Sequence, residues 1–204
     1  MALLPVLGQA GRSRRPRRLW KIGYEAERLV GRGLIEWVGS RGDERRYALS
    51  VDHPVSSRPH IPGYGLPETD DGLMEWDDVE ARLTESKHYW FSTTSPGGKP
   101  HANPIWGVWV NGMLYSGGGP DVRWAKNLDA EPKIAVHLED GEKAVILEGH
   151  AERTSSEDDE EVVAVKAAYK AKYDLDHPAP FWRITPALAF SWTRFEKDAT
   201  RFNF

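Results

Sequence analysis

The stretch GKPHANPIWGVWVNGMLYS, residues 98–116, decides how this chain folds. His101 to Val110 is rich in β-forming residues. Asn111-Gly112 follows, a dipeptide that favours a two-residue hairpin because both positions tolerate positive φ, and Met113 to Ser116 answers as the returning strand. Upstream, Lys87 to Ser95 is another β-rich run, set off by the turn residues Pro96 to Pro100. The three segments predict a meander. Further strands are expected from Lys133 (KIAVHLED), from Glu142 (EKAVILEGHAER), from about Pro186 to Phe195 and from Thr200 to Phe204. Antiparallel strands joined by short turns leave bare edges unless the sheet curls, so closure into a barrel is expected.

Helices punctuate these strands. Met74 to Glu85 places apolar residues at helical spacing behind acidic ones. After the glycines and proline of GGGPDVRWAKNL, residues 117–128, a helix should start near Asp121, with Asp121 as N-cap and Arg123 and Lys126 on its exposed side. Ser156, followed by EDDEE, predicts the N-cap and first turn of a helix running to about Tyr173. Consecutive carboxylates on a helix point around it rather than converge, so this acidic run predicts no metal site.

The composition narrows the function classes. With 204 residues and no cysteine, the chain is long enough to bury a core and excludes disulfides, thiolate metal sites and cysteine nucleophiles. No apolar run reaches the roughly 20 residues of a membrane helix, and Met1 to Gln9 is too short for a signal peptide; a cytoplasmic location is expected. The formal net charge of −4 conceals an asymmetry: residues 1–46 hold eleven Lys/Arg against five Asp/Glu. Within that basic extension, residues 1–55, Tyr24 to Leu49 reads as a short helix, a Gly turn and two strands. This resembles the last helix and wing hairpin of a winged-helix domain, yet 23 residues leave no room for the preceding helices. A remnant and a disordered extension both stay open. Residues 56–70 are proline-rich and read as a linker, and residues 71–204 as the folded domain.

The central block then carries a resemblance. HYWFSTTSPGGKPHANPIWGVWVNGMLYSGGG, followed by KNLDAEPKIAVHLEDGEKAVILEGHAE and closed by RITPALAFSW, resembles the pyridoxamine 5′-phosphate oxidase-like proteins over roughly Trp76 to Phe204. The resemblance implies an α+β, mainly β fold of the FMN-binding split-barrel type, with about six antiparallel strands and flanking helices. It also implies a homodimer with the cofactor in a groove between barrels, and the nine tryptophans exceed what one small barrel core needs. The cofactor expected is FMN, with the 8-hydroxy-5-deazaflavin coenzyme (factor 420) as the alternative. Its ring would lie along Asn103, Pro104, Ile105 and Trp106. Its phosphate would be held by Ser116, Gly117, Arg123, Lys126 and Asn127, helped by backbone N–H groups at a helix start. Where the family shows a pattern like Ser-Arg-Lys-x-Arg-Asn-Leu, this chain has Val122 and Trp124 in place of the hydroxyl and one charge. Trp192 and Arg201 would reach the site from the partner chain.

No catalytic side chain is assigned, because hydride transfer is carried by the cofactor while the protein positions the substrate. His88, His101, His137 and His150 share no metal-binding spacing; of these, His101 lies beside the cofactor strand. The leading expectation is an oxidoreductase acting on a small organic substrate, with nucleic acid and membrane not expected as partners. The alternatives are a non-catalytic flavin, deazaflavin or haem binder, with His177 as the haem ligand, and a cofactor-sensing regulator whose N-terminus contacts DNA.

Overall fold

The computed structural model describes residues 53–154 and 160–204 in full and, of the first 52 residues, three strands. The chain divides into two units, residues 1–53 and residues 54–204. In the first, β1 (Leu19–Trp20), β2 (Ile35–Arg41) and β3 (Glu44–Leu49) form a sheet of order β1-β3-β2. The two strands expected after Leu34 are the antiparallel β2 and β3. The helix expected from Tyr24 lies outside the described residues.

The second unit is built from the predicted meander. β5 (His88–Thr94) pairs with β6 (Pro100–Trp106) across the 95–99 turn, where Gly98 takes φ +80°. The run expected as one strand from His101 to Val110 bends at Gly107 and continues as β7 (Val108–Val110). A Cβ at Gly107 would stand 2.9 Å from the Tyr115 carbonyl oxygen, so only glycine allows so close an approach. β7 pairs with β8 (Met113–Gly117) through the expected Asn111-Gly112 turn, with φ of 51° and 79°. Then β8 pairs with β11 (Phe181–Ser191), β11 with β10 (Val145–Arg153), β10 with β9 (Lys133–His137), and β9 with β5. Counting β6 and β7 as one bent strand, six strands encircle the core. The ladder itself stays open at the Gly107 corner, where β5 and β8 are linked only through the covalent bend, which makes this a split barrel.

β11 is the strand expected from about Pro186 to Phe195, and proline donates no ladder hydrogen bond. Instead it begins at Phe181 and carries Pro186 in its middle. Glu148 pairs with Leu188 but Gly149 pairs with Pro186, so Ala187 is the extra residue of a bulge on β11, and that bulge accepts the proline. β12 (Thr200–Asn203) and β4 (Val55–Ser57) extend the sheet beyond β11. The proline-rich segment read as a linker therefore starts inside the sheet. Arg58 ties the remainder of that segment to the barrel: its side chain donates to the carbonyls of Thr69 (3.2 Å), Asp71 (2.7 Å), Lys197 (3.0 Å) and Ala199 (2.9 Å).

Three helices cover the barrel, and a single-turn helix, α4 (Phe195–Asp198), precedes β12. α1 (Trp76–Glu85) packs on β7 and β10, burying Trp76, Val79 and Leu83. α2 (Arg123–Ala130) packs on β5 and β10, burying Trp124, Ala125, Asn127 and Leu128. α3 (Glu160–Tyr173) packs on β7 through Val162, Val165 and Tyr169, forming a second apolar cluster with Val108, Tyr115 and Phe181. The Ser156 cap expected for α3 lies outside the described residues. Among the described residues no helix is long and apolar enough to cross a membrane, and no group of three His, Asp or Glu side chains converges on a metal position.

Candidate functional site

The β5–β6 register sets His101 opposite Thr93, and α2 lays Asn127 against the same place. Asn127 Nδ2 lies 2.9 Å from Thr93 Oγ1 and 3.1 Å from His101 Nδ1, while Arg123 Nη1 lies 3.2 Å from His101 Nε2. Arg123 carries only donors, so His101 Nε2 must accept from it, and a neutral imidazole then has its proton on Nδ1. That proton faces Asn127. The consistent arrangement turns the Asn127 amide over, so that its oxygen accepts from both the Nδ1–H of His101 and the hydroxyl of Thr93. Thr93 and Asn127 are buried, whereas Arg123 stands at the surface.

His101 is accordingly held below the usual histidine pKa of 6.5, first by desolvation and then by the charges of Arg123 and Lys99. The sign follows from linkage. A base whose folded pKa is depressed contributes stability above its unfolded pKa and loses it as pH falls through the folded one. The corner should therefore be intact at pH 7 and loosen in acid, below 6.5. In a nitrogen-detected NMR titration we expect the Nδ1–H tautomer at pH 7, with Arg123→Ala moving the midpoint upward. A midpoint unmoved by that substitution would show that the Arg123 charge does not hold the His101 pKa down.

The start of α2 adds further donors. Asp121 was expected as its N-cap, but the capping position falls on Val122, which offers no side-chain acceptor, and a Val122 N–H to Gly119 carbonyl bond of 3.2 Å closes the turn before it. Asp121 instead pairs with Lys126 at 3.1 Å, both well exposed. The N-terminus of α2 is thus left without a side-chain acceptor, next to Arg123.

Beside this corner runs β6, paired with β5 along one edge only. Its residues alternate: Asn103 and Ile105 are half-buried, while Pro104 and Trp106 are exposed, Trp106 at 51%. Trp106 stacks on Tyr173 with centroids 4.9 Å apart and planes 3° from parallel.

The family model for pyridoxamine 5′-phosphate oxidase matches residues 76–195. The chain belongs to that family. Solved structures carry the same fold. A conserved hypothetical protein of Mycobacterium tuberculosis is 20% identical, with a TM-score of 0.51 over 62% of this chain and 89% of that one. A haem-binding protein of Mycobacterium smegmatis is 19% identical, with a TM-score of 0.50 over 61% of this chain and 56% of that one. No curated protein sequence matches.

In this member of the pyridoxamine 5′-phosphate oxidase family, the expected phosphate residues separate into two groups. Arg123 and Asn127 meet through His101, and Lys126 stands one turn along the same side of α2. Ser116 and Gly117 do not join them. The Ser116 hydroxyl is buried and lies 2.9 Å from the Trp106 carbonyl, to which it donates, while the Gly117 N–H donates to Tyr169 Oη at 3.1 Å. Packing requires two of the three glycines. A Cβ at Gly117 would fall 2.0 Å from the His177 ring, and one at Gly118 would fall 2.2 Å from Trp124. Trp124, which replaces a basic residue of the family pattern, is core: it meets Phe91 edge-on at 5.4 Å and Trp182 at 6.2 Å. Trp192 packs on Phe195 and Arg201 is exposed on β12; neither contacts the corner in this chain.

His101 and Thr93 are the additions. In sequence His101 is a candidate ring or substrate contact beside the strand expected to carry the cofactor, with nothing to tie it to Arg123 and Asn127. Its role depends on the hairpin register and on the docking of α2, both non-local.

Proposed function

We propose that this chain binds a phosphorylated tricyclic redox cofactor, FMN or the 8-hydroxy-5-deazaflavin coenzyme, and acts as an oxidoreductase on a small organic substrate. The observation that carries this reading is the exposed donor corner of Arg123, His101 and the uncapped α2 N-terminus beside the free edge of β6. Arg123 uses one N–H on His101, and its remaining donors have no partner among the described residues. A guanidinium next to unspent backbone N–H groups suits a phosphate in charge and in hydrogen-bond sense. Lys126 adds a second cation, weakly tied because its ion pair with Asp121 is exposed. Asn103 to Trp106 would carry the ring: Pro104 offers no N–H to a neighbouring strand, so the edge stays free for a ligand.

When bound, such a cofactor supplies the atom that accepts or donates hydride. The protein's residues hold the phosphate, orient the ring and keep its position along β6. We assign Trp192 and Arg201 to the site of a second copy in a homodimer. Haem has less support here. His177 is packed between Tyr169 (5.1 Å) and Phe181 (5.2 Å), its Nδ1 is tied to the Pro178 carbonyl, and its Nε2 faces Gly117. To ligate iron, the ring would have to leave that seat.

The test is the absorption spectrum of purified protein, followed by titration with each cofactor. Binding of neither tighter than about 100 μM, roughly −5.5 kcal/mol, would remove the basis of this reading. Arg123→Ala should weaken the cofactor that binds by about 1–3 kcal/mol, or roughly 5- to 150-fold. Lys126→Ala should cost less than about 1 kcal/mol, given its exposure. An Arg123→Ala variant with unchanged affinity would place the phosphate elsewhere.

A further inference from the structure

Lys172, near the end of α3, does not behave as a surface lysine. Its side chain runs back to the Gly107 corner, where Nζ lies 3.0 Å from Tyr89 Oη and 3.2 Å from the Gly107 carbonyl oxygen. Tyr89 donates its own hydroxyl proton to the Leu83 carbonyl, so toward Lys172 it can only accept. Among the described residues no carboxylate lies within ion-pair distance. Asp174 is paired with Lys170 at 3.0 Å, and His88 with Glu139 at 3.6 Å. The other groups around it are Lys87, a second cation, and the rings of Tyr89 and Tyr173, whose centroids lie 5.1 and 5.6 Å from Nζ.

Lys172 lines a groove of about 390 Å³ together with Lys87, His88, Trp106, Tyr173 and Asp174, large enough for a small aromatic molecule. As a neutral amine, Lys172 has two hydrogens and one lone pair. Tyr89 and Gly107 accept the two hydrogens, which leaves the lone pair for whatever enters the groove. Burial favours this neutral form, bringing the amine down to about pKa 8.

We propose that this groove is a carbonyl site, in which the Lys172 amine condenses with the aldehyde of a small planar aromatic compound seated against Trp106. The lone pair attacks the carbonyl carbon, and the oxygen takes up a proton to give a carbinolamine. Loss of that hydroxyl as water, with the remaining amine proton released, leaves a C=N bond to Nζ. Nothing is oxidised or reduced, and the step reverses with water. Trp106, half exposed and held by its stack on Tyr173, offers the apolar surface for an aromatic ring.

The test treats the full chain with benzaldehyde and cyanoborohydride, which traps the imine, and maps modified lysines by peptide mass spectrometry. At pH 7.5 we expect Lys172 to be labelled at least about tenfold faster than exposed Lys99 and Lys143, because a far larger fraction of it is free amine. Its rate should rise with pH to a midpoint near 8. Lys172→Arg should remove this label and leave the others unchanged. Trp106→Ala should slow benzaldehyde and spare propanal, which has no ring to seat. Labelling of Lys172 no faster than Lys99, or its absence from folded protein in which Lys99 reacts, would overturn the proposal. Equal slowing of both aldehydes by Trp106→Ala would overturn the aromatic seat. None of these readouts needs the cofactor, so the carbonyl site and the cofactor reading can fail separately.

Discussion

Trp124→Ala is expected to lower the unfolding free energy by about 3–5 kcal/mol, the usual cost of emptying a buried tryptophan site. For a unit of this size, that corresponds to a fall of roughly 6–20 °C in Tm. The indole is enclosed by Phe91, Trp182 and the backbone of Gly118, and none of these can collapse into the space without moving a strand. The consequence reaches the corner of Arg123, His101 and Asn127. Trp124 seats α2 on the barrel, and α2 carries Arg123, Lys126 and Asn127. Scanning calorimetry measures the stability term, and His101 resonances in the same variant report whether the corner persists. A loss below about 1 kcal/mol would mean that the helix is held by Ala125 and Leu128 alone. Trp124→Lys, which restores the charge of the family pattern, should do no better than alanine. It empties the same space and asks a cation to stay dry or swing out.

Gly149→Ala is the second large effect. The added methyl carbon would stand 2.1 Å from the Thr185 carbonyl oxygen and 3.0 Å from Pro186 Cα, both backbone atoms of β11. A flexible side chain could yield; a strand in the middle of the barrel's longest ladder cannot without breaking register. We expect a loss of about 3 kcal/mol, at the upper end of overpacking costs, read as a lower urea midpoint. Gly141→Ala is the control. Nothing lies within 4 Å of its Cβ position, so it should change stability by less than about 0.5 kcal/mol. Equal effects at the two positions would show that the β11 bulge facing Gly149 relaxes freely.

These two sites also mark where sequence reading stops. The Asn111-Gly112 turn was legible because positive φ is a property of those two residues, whatever surrounds them. The bend at Gly107 was not. There one continuous β-rich run changes partner from β5 to β8, and nothing local separates that from a straight strand. Pro186 is a related case: proline normally excludes a mid-strand position, and the bulge at Ala187 that admits it exists only through pairing with Glu148 and Gly149, some forty residues away.

The corner divides in the same way. Arg123, Lys126 and Asn127 could be named from residue type and helical spacing, because a helix places i, i+3 and i+4 on one side whatever it packs against. Ser116 and Gly117 could not be judged by type. A serine hydroxyl or glycine N–H is a donor in any sequence, and only packing shows that one is spent on Trp106 and the other on Tyr169.

By itself, then, the sequence determined the meander, its turn and the family to which the chain belongs, since these rest on short-range preferences and residue patterns. The tertiary structure decided which donors remain open, why Trp124 stands in place of a charge, and that His101 of β6 and Thr93 of β5 both meet α2. Each of these depends on groups distant in sequence competing for one buried space, and that competition is resolved only when the barrel closes around it.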